Sequence, residues 1–207
     1  MKTSFASSAQ GHYHLHLHAI SKLNGQSGLA AAAYRRAERF ERNETHSVTH
    51  AAAYRRAQQL GNDGQVFDYR SKIGVAWTGI RAPSRTPPEF HNPQTLWNTV
   101  ERIEHRKNAR LAKELIIALP HQVDLTTQIA VLDRFIAANL TPRGMIADIA
   151  IHRPPIECGG DPRNWHAHVL IPDRPMTPEG FAPKKDRSWN AKDCATTIMM
   201  LGRRQLG

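Results

Sequence analysis

An α+β fold is predicted, with antiparallel strands forming a sheet that helices cover. Three observations lead there: period-two runs of histidine and aliphatic residues, alanine-rich runs with capped starts, and a short turn between two strand-like runs near the C-terminal end. Residues 12–20, HYHLHLHAI, put His14, His16 and His18 on one face and Leu15, Leu17 and Ala19 on the other, which is a strand. After the loop SKLNGQSG, Ser27 caps an alanine-rich helix running through YRRAERFERN. The seven residues AAAYRRA at 31–37 recur at 51–57, which predicts another helix of about three turns, ended by the turn GNDG at 61–64. Residues 65–83 are β-rich. Asn92 and Pro93 start a helix. ARLAKELIIALP reads as a strand in its second half, and Asp124 caps an amphipathic helix with Ile129, Leu132 and Ile136 on one stripe. GMIADIAIH and NWHAHVLIP are strands separated by a Pro/Gly-rich turn, and a last helix is expected from about Asn190. No linker divides the chain, so residues 1–207 are read as one domain.

The 207 residues are 40% hydrophobic, enough for a core. Lysine and arginine total 28 against 18 acidic residues, a net charge of +10, which points to a polyanion such as nucleic acid. Two cysteines, Cys158 and Cys194, are too few for a disulfide framework or a cysteine-built zinc site. There is no run of about 18 apolar residues and no signal-peptide centre, so no membrane insertion and a cytoplasmic location are expected.

Strand parity concentrates the chemistry. Ile146, Asp148, Ala150 and His152 share one face of their strand, and His166, His168 and Leu170 share one face of theirs. If the two strands pair across the 153–163 turn, three imidazoles converge, and a metal held there keeps positions open for a substrate oxygen. Surface histidines in a strand are the plainer alternative. The N-terminal histidines 14, 16 and 18 compete for the same role, and are read as lining a polar cleft or meeting phosphates.

A tyrosine hydroxyl, with a free pKa of about 10, becomes a useful nucleophile beside a cation or a base. Tyrosine, a histidine-bound divalent ion and a basic groove suit DNA cleavage by transesterification. The plainer reading of each tyrosine is a ring packed on a helix.

YHLHLHAISKLNGQSGLAAAAYRRAERF resembles the amino-terminal signature of the MobA/MobL relaxases, plasmid-mobilisation members of the HUH endonuclease superfamily. ARLAKELIIALP resembles their second block, GMIADIAIH with NWHAHVLI their histidine-rich third block, and TPEGFAPKKDRSWN is similar to the TraA-like branch. The blocks occur in family order over roughly residues 12–172.

The resemblance implies a five-stranded antiparallel sheet with helices on its faces, a circularly permuted relative of replication-initiator folds. It implies nicking of one strand at a plasmid transfer origin, a 5′-phosphotyrosine and later rejoining. His152, His166 and His168 would hold a divalent ion, magnesium or manganese. Glu114 takes the place of a family glutamate that orients a histidine or accepts a proton; an ordinary strand-face glutamate is the alternative. Implied partners are single-stranded DNA at the transfer origin, relaxosome accessory proteins and the coupling protein of a type IV secretion channel. The chain is expected to be the amino-terminal part of a longer protein.

The repeat departs from the family pattern and is read as a tandem duplication. Tyr34 follows the first strand at family spacing and is favoured as nucleophile, with Tyr54 the second candidate and a shared role also open. Arg35, Arg36, Arg55 and Arg56 are assigned to phosphate contacts, at least for one pair, with solvated helix faces the plainer alternative. Trp165 is assigned to stacking on a base, with a core position equally open because its parity differs from that of the histidines. Two other functions remain: a non-catalytic DNA-binding relative, and a metal-dependent nucleic-acid hydrolase using activated water.

Overall fold

The computed structural model describes residues 15–21, 47–62, 64–106 and 108–190. Its centre is a five-stranded antiparallel sheet of β1 (Leu15–Ser21), β4 (Val75–Arg81), β5 (Arg110–Ala118), β6 (Ala147–His152) and β7 (His166–Pro172). The spatial order is β1-β5-β7-β6-β4, so β7 is the middle strand. A hairpin of β2 (Gln59–Asn62) and β3 (Gln65–Asp68) and a short one of β8 (Met176–Thr177) and β9 (Gly180–Phe181) lie outside this sheet. The helices are α1 (Val48–Arg56), α2 (Pro93–Ile103) and α3 (Leu125–Asn139). Among them none is long and apolar enough to cross a membrane.

Strand alternation sends side chains to two cores. Leu115, Ile117, Ile149, Ile151, Ala167 and Val169 meet α3 through Leu132, Phe135 and Ile136. Each of those three α3 side chains is at most 1% exposed, so each contributes about 1.5–3 kcal/mol of burial. On the opposite face, Ile20, Ile80, Ala112, Ile146 and Leu170 meet α1 through Ala51, Ala52 and Ala53, and α2 through Leu96, Trp97 and Val100. Three consecutive alanines let the α1 backbone lie close against the sheet, because no bulky side chain holds it off.

Caps fix the helix starts as their side chains predict. Asn92 accepts from the Gln94 and Thr95 amides, and Asp124 from that of Thr127. Ser47 caps α1 by accepting from the His50 amide at 3.2 Å, and its hydroxyl donates to Glu101 of α2. The C-terminus of α1 falls earlier than expected: Ala57 adopts a left-handed conformation at φ 50° and closes the helix. Gly61 and Asn62 then belong to β2 instead of ending a helix: they pair with Val66 and Gln65, and the buried Leu60 pairs with Phe67. β5 occupies all of 110–118 rather than the second half of its block, because Leu111 and Ala112 already have apolar cover. The alanine-rich helix expected after Ser27 and the helix expected from Asn190 lie outside the described residues.

Candidate active site and metal centre

β6 and β7 are neighbours in the register that parity requires. His152 stands opposite His166, and Ala150 opposite His168. One ring nitrogen from each of His152, His166 and His168 lies within 4.8 Å of the others. Ring centroids are 4.6 Å apart for His152–His168, 5.1 Å for His166–His168 and 5.4 Å for His152–His166.

Each imidazole has one nitrogen occupied by a protein oxygen. His152 donates from Nε2 to the Arg55 carbonyl at 2.7 Å, and His166 from Nδ1 to the Asn164 carbonyl at 2.9 Å. A carbonyl can only accept, so both protons are assigned. His168 Nδ1 is 2.7 Å from Glu114 Oε1. With Glu114 ionised, that nitrogen also carries the proton. The remaining lone pairs are on His152 Nδ1, His166 Nε2 and His168 Nε2. Metal-binding histidines are ordinarily held in this way, the far nitrogen donating to a carbonyl or carboxylate.

Electrostatics keep His152 and His168 in their ligand form. Burial lowers the His152 pKa well below the ordinary value, and the charges of His168 and Lys72 act in the same direction. Burial also lowers His168, to about 4, against the pull of Glu114. Neutral imidazole is the form that binds metal. For Glu114, burial alone would raise the carboxyl, but the Arg55 charge and the bonds from His168 and Arg55 outweigh it and hold it well below the usual carboxylate range. The three-imidazole set with oriented tautomers therefore fits a divalent transition ion.

α1 is fastened to this cluster by the residues beside Tyr54. Arg55, 3% exposed, makes a two-pronged bond to the fully buried Glu114, with its Nη2 at 2.8 Å from Oε2. Arg56 bonds Asp148 and, at 3.1 Å, Thr78 Oγ1. Asp148 also accepts from the Trp97 indole at 2.7 Å. This corrects the assignment of Arg55 and Arg56 to DNA phosphates: both guanidinium groups compensate carboxylates buried on the sheet and are withdrawn from solvent. Asp148 and Lys72 were not anticipated as parts of this network. A solitary acid inside the apolar strand IADIAI was the available signal for Asp148, since a buried carboxylate requires a partner. Nothing in the sequence around Lys72 marked it.

Tyr54 is half-buried on α1. The Lys72 ammonium stands 3.6 Å over its ring centroid, and Tyr69 meets the ring edge-on at 5.2 Å. Tyr34, Arg35, Arg36 and His14 lie outside the described residues. In β1, His16 and His18 take the register positions opposite Ile116 and Glu114. Trp165 precedes His166, is partly buried against the α3-side core, and has the Arg153 guanidinium 5.6 Å over its ring.

Known proteins match this chain. The family model described as the MobA/MobL family matches residues 46–205. The chain is 28% identical over 182 residues to the probable conjugal transfer protein TraA of Sinorhizobium fredii, covering 83% of this chain and 14% of that protein. It is 30% identical over 177 residues to the probable mobilization protein MobA of Bifidobacterium longum, covering 84% of this chain and 27% of that protein. The chain thus spans only a minor part of the length of these relatives. A solved structure described as "Molecular Basis of Vancomycin Resistance Transfer in Staphylococcus aureus" superposes with a TM-score of 0.76 at 26% identity, covering 95% of this chain and 91% of that one. By the extent of the family match, from just before the second AAAYRRA copy through the histidine strands and beyond, the chain belongs to the MobA/MobL family.

Proposed function

We propose that this chain is a relaxase nicking unit that cuts one strand of DNA at a transfer origin by tyrosine transesterification and later rejoins it. The observation that carries the reading is the attachment of a tyrosine helix to a three-histidine cluster. Arg55, the residue after Tyr54, accepts from His152 through its carbonyl and binds the His168 partner Glu114 through its side chain.

Tyr54 is proposed as the nucleophile. Two facts favour it over Tyr34: its helix packs on the histidine face, and the family match begins at residue 46 and so includes Tyr54 alone of the two. Spacing from β1 favours Tyr34, and the experiment below separates them. Tyr54 Oη attacks the phosphorus, an Oη–P bond forms, and the P–O3′ bond breaks. The phenol proton passes to water, and the departing 3′-oxygen takes one up to become a hydroxyl. A divalent ion held by His152, His166 and His168, manganese or magnesium, supplies charge stabilisation at the non-bridging oxygens when bound. Glu114 is assigned the orientation of His168. Trp165 is proposed to stack on a base beside the scissile phosphate, and Arg35 and Arg36 to contact phosphates. Relaxosome accessory proteins and a secretion coupling protein are the proposed partners, and the cytoplasm the proposed location.

The test uses labelled single-stranded oligonucleotides tiled across the DNA flanking the gene, with manganese, resolved on denaturing protein gels. A covalent adduct that Tyr54→Phe abolishes and Tyr34→Phe retains is expected. The reverse pattern assigns the nucleophile to Tyr34. Cleavage without an adduct, unaffected by the double variant, identifies a hydrolase using water. Tight binding with neither adduct nor cleavage identifies a non-catalytic DNA-binding relative.

A further inference from the structure

We infer that Lys72 is a positioning residue for Tyr54, fixing the orientation of its ring at the end of α1; this rests on the proposal that Tyr54 is the nucleophile. Lys72 lies in the turn between β3 and β4, where its amide donates to the Tyr69 carbonyl at 2.9 Å. Its ammonium makes two contacts with one residue. It donates to the Tyr54 carbonyl at 3.0 Å, and it sits 3.6 Å over the Tyr54 ring. A cation over an aromatic face is attracted by the ring's quadrupole, and one at a helix C-terminus is attracted by the unsatisfied carbonyls. Tyr69, interacting through its hydroxyl with His50 of the same helix, closes the ring from the side at an interplanar angle of 86°. The Tyr54 ring is therefore fixed on its face by Lys72 and on its flank by Tyr69.

The same turn is tied to the strand that carries His152. The Arg153 amide donates to the Gly74 carbonyl at 2.8 Å. Gly74 has φ +93°, and a Cβ there would lie 2.9 Å from the Arg153 carbonyl oxygen, so only glycine closes this approach. Lys72 thus stands on a loop held at one end by β6 and grips Tyr54 at the other. It connects the proposed nucleophile to the metal ligands by a route separate from Arg55. A reacting oxygen displaced by about an ångström loses roughly a hundredfold in rate, so a residue that fixes the ring acts on the bond-making step more than on DNA affinity.

The test compares wild type, Lys72→Met and Lys72→Arg for adduct formation in single turnovers at saturating oligonucleotide with manganese. Oligonucleotide affinity, metal affinity and melting temperature are measured on the same samples. Methionine keeps the apolar stem and removes the charge. Lys72→Met is expected to slow the saturating rate about 10–100-fold while affinity changes less than about threefold and the protein stays folded with its metal site intact. Lys72→Arg is expected to recover most of the rate, because guanidinium also stacks on aromatic faces. An unchanged saturating rate with weaker, more salt-sensitive binding would overturn the inference and make Lys72 a DNA contact. A rate loss matched by equal loss of folded protein would overturn it in favour of a helix-end support. Tyr54→Phe runs alongside: if it retains the adduct, the nucleophile assignment fails; if it abolishes the adduct while Lys72→Met reacts normally, the positioning role alone fails.

Discussion

Replacing Arg55 with methionine removes the charge that compensates Glu114. Both side chains are out of water, at 3% and 0% exposure, and the guanidinium meets both carboxylate oxygens. Methionine fills most of the volume but leaves a buried carboxylate with only the His168 proton, and breaking one side of such a pair costs about 3–5 kcal/mol. The bond from Arg55 Nη1 to the Ala51 carbonyl, at 3.0 Å, goes with it and adds about 1 kcal/mol. Urea denaturation of wild type and Arg55→Met, both with chelator at pH 7, measures the difference. Adding Glu114→Gln to Arg55→Met should recover a large part of it, because a neutral amide no longer needs a cation. DNA affinity of the folded variant should keep the wild-type salt slope. A loss below about 1 kcal/mol, together with a salt slope reduced by about one counterion, would refute the buried-pair account and return Arg55 to the phosphate backbone.

Three further outcomes follow from the cluster. With chelator present, the protein should lose stability as pH falls from 6.5 toward about 4, the interval between the ordinary and the folded pKa of His168. The unfolded chain binds that proton first, so the contribution is full above 6.5 and amounts to about 3 kcal/mol over the window; denaturation midpoints at stepped pH measure it, and a flat profile would refute it. Glu114, whose folded pKa is lowered, contributes stability that is complete above its unfolded value of about 4.3 and fades only at lower pH, so it does not offset this trend. In titration calorimetry, manganese, cobalt or zinc should bind more tightly than magnesium, since three imidazole nitrogens suit transition ions and magnesium prefers oxygen. Glu114→Gln should weaken metal binding about 10–100-fold through loss of the His168 orientation, and an unchanged affinity would detach Glu114 from the metal.

The histidine cluster was legible because strands have a period of two. Once 147–152 and 166–172 are strands joined by a turn, His152, His166 and His168 have one face to share, and the structure pairs them there. Asn92 and Asp124 were legible as caps because the side-chain type determines the bond. The destination of Arg55 and Arg56 was hidden. AAAYRRA gives no sign that the partner face of the sheet holds Glu114 and Asp148, so two helix arginines read as solvent-facing. The α1 terminus was hidden as well, since Gln58 and Gln59 suit a helix locally and the hairpin that claims Gln59 and Leu60 forms through pairing with residues several positions on. Lys72 acquires its place only when the β3–β4 turn folds back onto α1, a contact between segments 18 residues apart.

The bond from His152 to the Arg55 carbonyl joins two events that chemistry would otherwise keep separate. An imidazole is a better ligand when its far proton is accepted, and here the acceptor belongs to the helix that carries Tyr54. Linkage is reciprocal: whatever free energy helix docking adds to metal capture, metal capture returns to helix docking. On the proposed roles, filling the histidines would favour docking of the tyrosine helix, and emptying them would loosen it. Under that proposal, ion capture and placement of the tyrosine would be one coupled equilibrium rather than two.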